Sequence, residues 1–291
     1  AYLKNGLKNE ARNSFLFASG LDFYPEIKED AFYHYAKLSH ELKFNKAAMN
    51  AFNDFIKTYP KSKYSEEAKV NYVRLLLSTN DNLKALEMIE QIPEPNKKIN
   101  GGYQRLAYNV GLEYFDIKNY EKSREYLNKS LQRPIYGEYQ AMAHFWIGES
   151  LYQEERFDES LKSYKNYLFV PESKELPLQA IAHYNLAYCL IKQEEYKEAL
   201  YHLDNYFKFG NDIYKKQFDS DAHLRTADCY YELKVYDDAV KNYNEALNKN
   251  FTGQDYAMFQ IGIIKGLQGK QIEKVEWLED MVKKYPSSQY T

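Results

Sequence analysis

The chain lacks most of what marks an enzyme, a membrane protein or a nucleic-acid binder. In its 291 residues no apolar run approaches the ~20 residues that a helix needs to cross a bilayer. Lys and Arg number 39 against 42 Asp and Glu, a formal net charge of -3. Without a basic excess, the attraction that drives binding to a phosphate backbone is missing, and nucleic acid is not an expected partner. The two cysteines, Cys189 and Cys229, are too few for a disulfide framework or a four-thiolate zinc site. There is no GxSxG, HExxH, P-loop or GxGxxG segment, so nothing announces an activated nucleophile, a metal centre or a phosphate cradle. The expectation is a non-enzyme with no cofactor. The chain opens Ala1-Tyr2-Leu3-Lys4 with no initiator Met, leader or lipidation motif, and is expected to be a piece of a longer protein.

Period-two alternation over the length of a strand is also missing, whereas apolar residues recur three and four apart, as on amphipathic helices. What the chain has in excess is tyrosine, 30 in all, distributed within a repeat. The clearest unit runs Ala227, Tyr230, Tyr236, Ala239, Tyr243, Ala246. The same frame reads Ala187, Leu190, Tyr196, Ala199, Leu203, Tyr206, then Gly148, Leu151, Phe157, Ser160, Tyr164, Tyr167, then Gly111, Tyr114, Tyr120, Ser123, Leu127, Ser130. Looser copies precede and follow these. The position that is usually small in the second helix falls at 11, 48, 85, 123, 160, 199, 239 and 274. Two helices approach closely only where neither carries a bulky side chain, so Gly148 or Ala187 is expected to face Ser160 or Ala199. Pro60, Pro134, Pro171 and Pro286 follow second helices, where a missing N–H and a fixed φ stop the helix. Pro93-Glu94-Pro95 and Asn100-Gly101-Gly102 are expected to bound one long connection. Glu154-Glu155, Glu194-Glu195 and Asp237-Asp238 fall beside turns, where solvation accounts for them without acid–base chemistry.

These residues resemble the tetratricopeptide repeat family, a two-helix unit whose pattern places aromatic, Leu, Gly, Tyr, Ala, Phe and Pro at fixed offsets. The period here exceeds the family's usual length of about 34 residues. The resemblance implies an all-α, right-handed superhelical solenoid of antiparallel helix pairs, one array over 1–291. Its expected units are a half-repeat at 1–24 and repeats at about 28–61, 65–95, 103–134, 140–171, 178–210, 219–250 and 254–287. The segments 52–64 and 281–290 are similar to longer repeats of bacterial cell-envelope proteins, of the outer-membrane assembly lipoprotein and cell-division coordinator type. This favours the periplasm or cell envelope over the cytoplasm.

In this family the first helices line a concave face, and the resemblance places an aromatic stripe there: Tyr33, Tyr108, Phe115, Phe145, Tyr152, Tyr184, Tyr188, Tyr231 and Phe259. Asn109, Asn185 and Arg225 accompany them as hydrogen-bonding groups for a peptide backbone. Such a stripe suits an extended peptide or a partner helix. Family members that clamp a carboxylate tail use Lys and Asn on one first helix, Asn on the next, and Lys and Arg on a third. Here the corresponding positions are Phe145, Glu149, Asn185, Asp221 and Arg225; only Asn185 and Arg225 match, and Glu149 and Asp221 would repel a carboxylate. The expected function is a protein-interaction scaffold. The alternatives are a glycan- or peptidoglycan-binding envelope module and a self-assembling scaffold. His144, His183 and His223 occupy one position in successive units, too far apart to converge on one ion, and are expected to pack. Cys189 and Cys229 are likewise expected to be free thiols.

Overall fold

A computed structural model describes the chain except for residues 23, 79–80, 93–94, 210–214 and 250–252 and the side chains of 215–217. Among the described residues there are fifteen α-helices and no strand. A lone α1 (Lys8–Ser19) precedes seven pairs: α2 (Pro25–Glu41) with α3 (Asn45–Thr58), α4 (Ser65–Leu76) with α5 (Asn82–Glu90), and α6 (Lys97–Asp116) with α7 (Tyr120–Gln132). Then come α8 (Gly137–Gln153) with α9 (Phe157–Phe169), α10 (Gln179–Lys192) with α11 (Tyr196–Lys208), α12 (Lys215–Glu232) with α13 (Tyr236–Leu247), and α14 (Gln254–Leu267) with α15 (Gln271–Lys284).

The six turns within pairs whose residues are all described are closed in one way. A single residue adopts a left-handed conformation: Lys43, Lys118, Glu155, Glu194 and Lys234 have φ between 59° and 62°, and Gly269 has 78°. The N–H of that residue donates to the carbonyl three back and the next N–H to the carbonyl five back. In one example Glu155 bonds to Tyr152 at 2.9 Å and Arg156 to Leu151 at 3.0 Å. This double bond satisfies carbonyls that the helix end would leave orphaned, and reverses the chain within three residues.

The small residues stand at the crossings. Ala48, Ala85, Ser123, Ser160, Ala199 and Ala239 are wholly buried. Ser160 Oγ donates to the Gly148 carbonyl at 2.9 Å, and a Cβ on Gly148 would lie 2.8 Å from the Tyr164 ring. In the last pair the small position is Lys274, whose stem crosses Gly266 so closely that a Cβ there would meet Cδ at 2.8 Å.

The connection expected around 93–102 is shorter than the sequence implies. Residues 93 and 94 lie outside the described residues, but Asn100-Gly101-Gly102 is helical, inside α6. Asn96 caps that helix, accepting from the Ile99 N–H at 3.0 Å. These glycines serve packing and not a turn: a Cβ on Gly101 would sit 2.6 Å from the Tyr136 ring.

The chain divides into two compact units, Ala1–Tyr139 and Gln140–Thr291, with the division inside the first turn of α8. Unit 1 has a core of Phe52, Phe55, Tyr72, Leu76, Ile89 and Ile99. The wholly buried Gln104 fastens the segment after α7, donating to the Tyr136 carbonyl at 3.0 Å and accepting from the N–H groups of Ile135 and Tyr136 at 3.0 and 2.8 Å. Unit 2 is built around Tyr164, Tyr167, Leu203 and Tyr206, and around Tyr243, Ile261 and Ile264.

The histidines pack, with one contact that the repeat pattern does not show. His183 of α10 meets His202 of α11, Nδ1 to Nδ1, at 2.8 Å, and stacks on Phe209. One ring donates and the other accepts, and burial lowers both pKa values to about 4, so both are neutral near pH 7. His223 stacks on Phe207 with ring centroids 4.4 Å apart, and His144 is half-buried. Cys189 and Cys229 are free, buried thiols.

Candidate functional site in the second unit

The expected aromatic stripe sorts into rings that are buried and rings that are accessible. In unit 1, Tyr33 is only 1% exposed and stacks flat on Tyr64, centroids 4.2 Å apart. Tyr108 is buried with its ring edge-on to Tyr139. These two rings pad the space between helices and present no face to a partner. Phe115, beside Tyr120, and Asn109 are half-buried. In unit 2, Tyr231 is half-buried and leans on Tyr236, and Phe259 stacks on Tyr290 near the end of the chain.

The structure brings five of the expected residues together: Phe145, Tyr152, Tyr184, Asn185 and Tyr188 line one concave pocket of about 540 Å³. From α8 come Phe145, Trp146, Glu149, Tyr152 and Gln153; from α10 and the residue before it come Leu178, Ile181, Tyr184, Asn185 and Tyr188; from α12 comes Phe218. The spacing explains the convergence. Residues 145, 149 and 152, and residues 181, 185 and 188, each recur at four and three, so each set shares one face of its helix.

Phe145 and Tyr184 form the base, 3% and 7% exposed. Phe145 packs edge-on to Tyr164 and Tyr167, and Tyr184 packs against Tyr206 and Phe218. Trp146, Tyr152 and Tyr188 are half-buried and form the accessible wall.

A chain of hydrogen bonds holds this wall from behind. Asp221 of α12 accepts from the hydroxyls of Tyr184 at 2.6 Å and Tyr188 at 2.5 Å. Arg225 donates through Nε to the Tyr188 hydroxyl at 2.9 Å, through Nη2 to Asp221 at 3.0 Å and through Nη1 to Asp228 at 2.8 Å. Asp228 in turn accepts from Tyr243 at 2.7 Å and Tyr256 at 2.9 Å. Burial alone would push both aspartates up. At Asp221 the guanidinium and two phenols outweigh burial and hold the carboxyl below its ordinary value, whereas at Asp228 burial wins and the carboxyl is raised. Burial also pushes the Tyr188 phenol up to about 12. Arg225, expected as a hydrogen-bonding group for a peptide, is thus committed to the protein.

Glu149 is different. Its Oε1 accepts from the Tyr164 hydroxyl at 2.6 Å and from the Asn185 amide, so Asn185 is also engaged internally. No cation among the described residues pairs with this carboxyl, and burial raises its pKa, against the lowering effect of Tyr164. The repeat frame marks Glu149 only as a residue that would repel a carboxylate; that it lies on the face carrying Phe145 and Tyr152 was available from the four-and-three spacing. Leu178 and Phe218 gave no such signal, because only the packing of α8, α10 and α12 brings them to the pocket. Among the described residues no group of three His, Cys, Asp or Glu side chains converges as metal ligands would, and no helix is long and apolar enough to cross a membrane.

Helix pairs with small residues at the crossings and a left-handed turn residue define a class of all-α repeat proteins. The tetratricopeptide repeat-like domain family matches residues 107–263, more than half of the chain, and a tetratricopeptide repeat matches residues 30–62. The chain belongs to this family. Among solved structures, YrrB, described as a TPR protein with an unusual peptide-binding site, aligns with a TM-score of 0.57 at 16% identity over 72% of this chain and 95% of its own. The MamA protein aligns with a TM-score of 0.54 at 15% identity, covering 64% and 93%. MamA from Desulfovibrio magneticus RS-1 gives 0.51 at 14%, covering 64% and 97%. At these identities the likeness concerns the fold. No curated protein sequence matches significantly.

Proposed function

We propose that this protein is an interaction scaffold whose second unit holds a segment of a partner polypeptide in the aromatic pocket between α8, α10 and α12. The observation that carries the reading is a concavity of about 540 Å³ with six aromatic rings in its lining, in a repeat fold whose other rings are mostly consumed by packing. Half-open tyrosine and tryptophan rings supply apolar contact area at low entropic cost, together with polar edges for a peptide backbone. The described peptide-binding site of YrrB, a protein of the same fold, supports a peptide as the ligand. Residence in the cell envelope belongs to the same proposal and is checked by fractionating the source cells.

The test is an array of capped peptides of random sequence, probed with wild type and with a Trp146→Ala/Tyr152→Ser variant of matched circular dichroism. Binding of a reproducible subset that the variant loses is the expected result. Equal binding by both proteins, or by neither, removes the pocket as the site.

A further inference from the structure

The pocket pairs an apolar wall with an unbalanced charge. Around it, α8 contributes the Glu149 carboxyl, α9 the neutral Tyr164 hydroxyl, and α10 the neutral Asn185 and Tyr188. From α12 come two carboxyls and one guanidinium, with Arg225 bridging Asp221 and Asp228. Among the described residues three carboxyls therefore meet one cation, and that cation is spent on two of them. Glu149 receives only neutral donors. A carboxylate in such surroundings is costly to desolvate unless a positive partner arrives. The rings of Trp146, Tyr152 and Tyr188 line the same pocket, and aromatic faces attract cations while covering a methylene stem.

We propose that this pocket selects a basic side chain of the bound peptide, lysine or arginine, seating its charge against Glu149 and its stem along the rings of Trp146, Tyr152 and Tyr188. This rests on the reading of the pocket as a peptide site and adds its selectivity. It is the opposite preference to a carboxylate clamp, and Glu149 and Asp221 stand where a clamp would need neutral or positive groups.

The experiment uses n-butylammonium, 1-butanol and butyrate as probes, titrated while following Trp146 fluorescence in a Trp277→Phe background, which leaves Trp146 the sole tryptophan. Saturable binding of n-butylammonium about tenfold tighter than of either other probe is expected. Glu149→Gln keeps an oxygen for Tyr164 and Asn185. It should abolish that preference while leaving the 1-butanol response unchanged. If 1-butanol or butyrate binds wild type as well as n-butylammonium does, or the preference survives Glu149→Gln, charge plays no part and the selectivity is overturned while the pocket stands as an apolar site. If no probe gives a saturable change in wild type, the pocket accepts no side chain and the peptide reading fails with it. Selectivity within wild type decides the question even if Glu149→Gln folds poorly.

Discussion

The two units place rings at the same register of the repeat and use them differently. In unit 1, Tyr33 and Tyr108 are sealed between helices. In unit 2, Phe145 and Tyr184 are sealed as well, but Trp146, Tyr152 and Tyr188 above them stay half open and leave a cavity. The carboxylates follow the same division. In unit 1 the tyrosine-bonded carboxylates lie at the rim, with the Asp30 and Glu90 side chains 45% and 40% exposed. In unit 2, Asp221 and Asp228 are at 30% and 17% and are linked through one arginine. Rings at one register of the repeat can thus be sealed or left half open, according to which neighbouring groups bury them.

The strongest way to break this contrast is acid. Both His183 and His202 titrate near 4 when folded and near 6.5 when unfolded. The unfolded chain therefore takes up their protons first, and stability complete above pH 6.5 is lost as the pH falls toward 4. The loss is about 3 kcal/mol for each ring. Urea denaturation between pH 7 and 4 measures it, and a His183→Leu/His202→Leu variant should flatten the profile. A profile just as steep in that variant would show that the pair is not its source.

Next in size is a pair of truncations. Tyr33→Ala empties a sealed site and should cost about 3–5 kcal/mol of stability. Tyr152→Ala removes a half-open ring and should cost about 1 kcal/mol while eliminating probe binding at the pocket. Comparable losses of stability would erase the distinction between packing rings and binding rings. Tyr184, expected from the sequence to act at the surface, belongs with Tyr33 in this respect, because it is buried and bonded to Asp221.

Within unit 1, Gln104→Leu leaves two N–H groups and a carbonyl of the connection after α7 without their partner, and should cost about 2 kcal/mol by thermal or urea melting. The smallest expected effect is a gain. Glu194 holds a left-handed turn that glycine adopts without strain, so Glu194→Gly should raise stability by about 0.5–1 kcal/mol, net of the extra freedom of the unfolded chain. The corresponding change at Lys118 should do the same in unit 1, since the turn is built alike in both.

Much of the fold was legible because it is local. The three-and-four spacing of apolar residues and the recurring small position report directly on helices and their crossings, as at Gly148, Ser160 and Ala239. Gly101 and Gly102 mislead: two adjacent glycines mimic a loop signal, but Gly101 admits the Tyr136 ring and Gly102 lies against Leu77. The candidate site was partly legible. Phe145, Tyr152 and Tyr184 fall at the family's groove positions and Tyr188 between them, yet the register does not distinguish Tyr33 from Tyr152, because ring exposure depends on what the neighbouring helices bring. That Arg225 is consumed by Asp221 and Asp228 was itself legible, since the three stand four and three apart on one helix; only the approach of the Tyr184, Tyr188, Tyr243 and Tyr256 hydroxyls to those carboxyls needed the tertiary structure.

The sequence by itself determined that this protein is all helix, built from paired units in the tetratricopeptide pattern, because helix periodicity and close-contact residues are short-range properties written in consecutive letters. Only the tertiary structure decided which rings are sealed and which line a pocket, and that among the described residues no cation pairs with Glu149 there. Those outcomes are set by burial and by charges brought together from helices up to 79 residues apart along the chain, from Glu149 to Asp228.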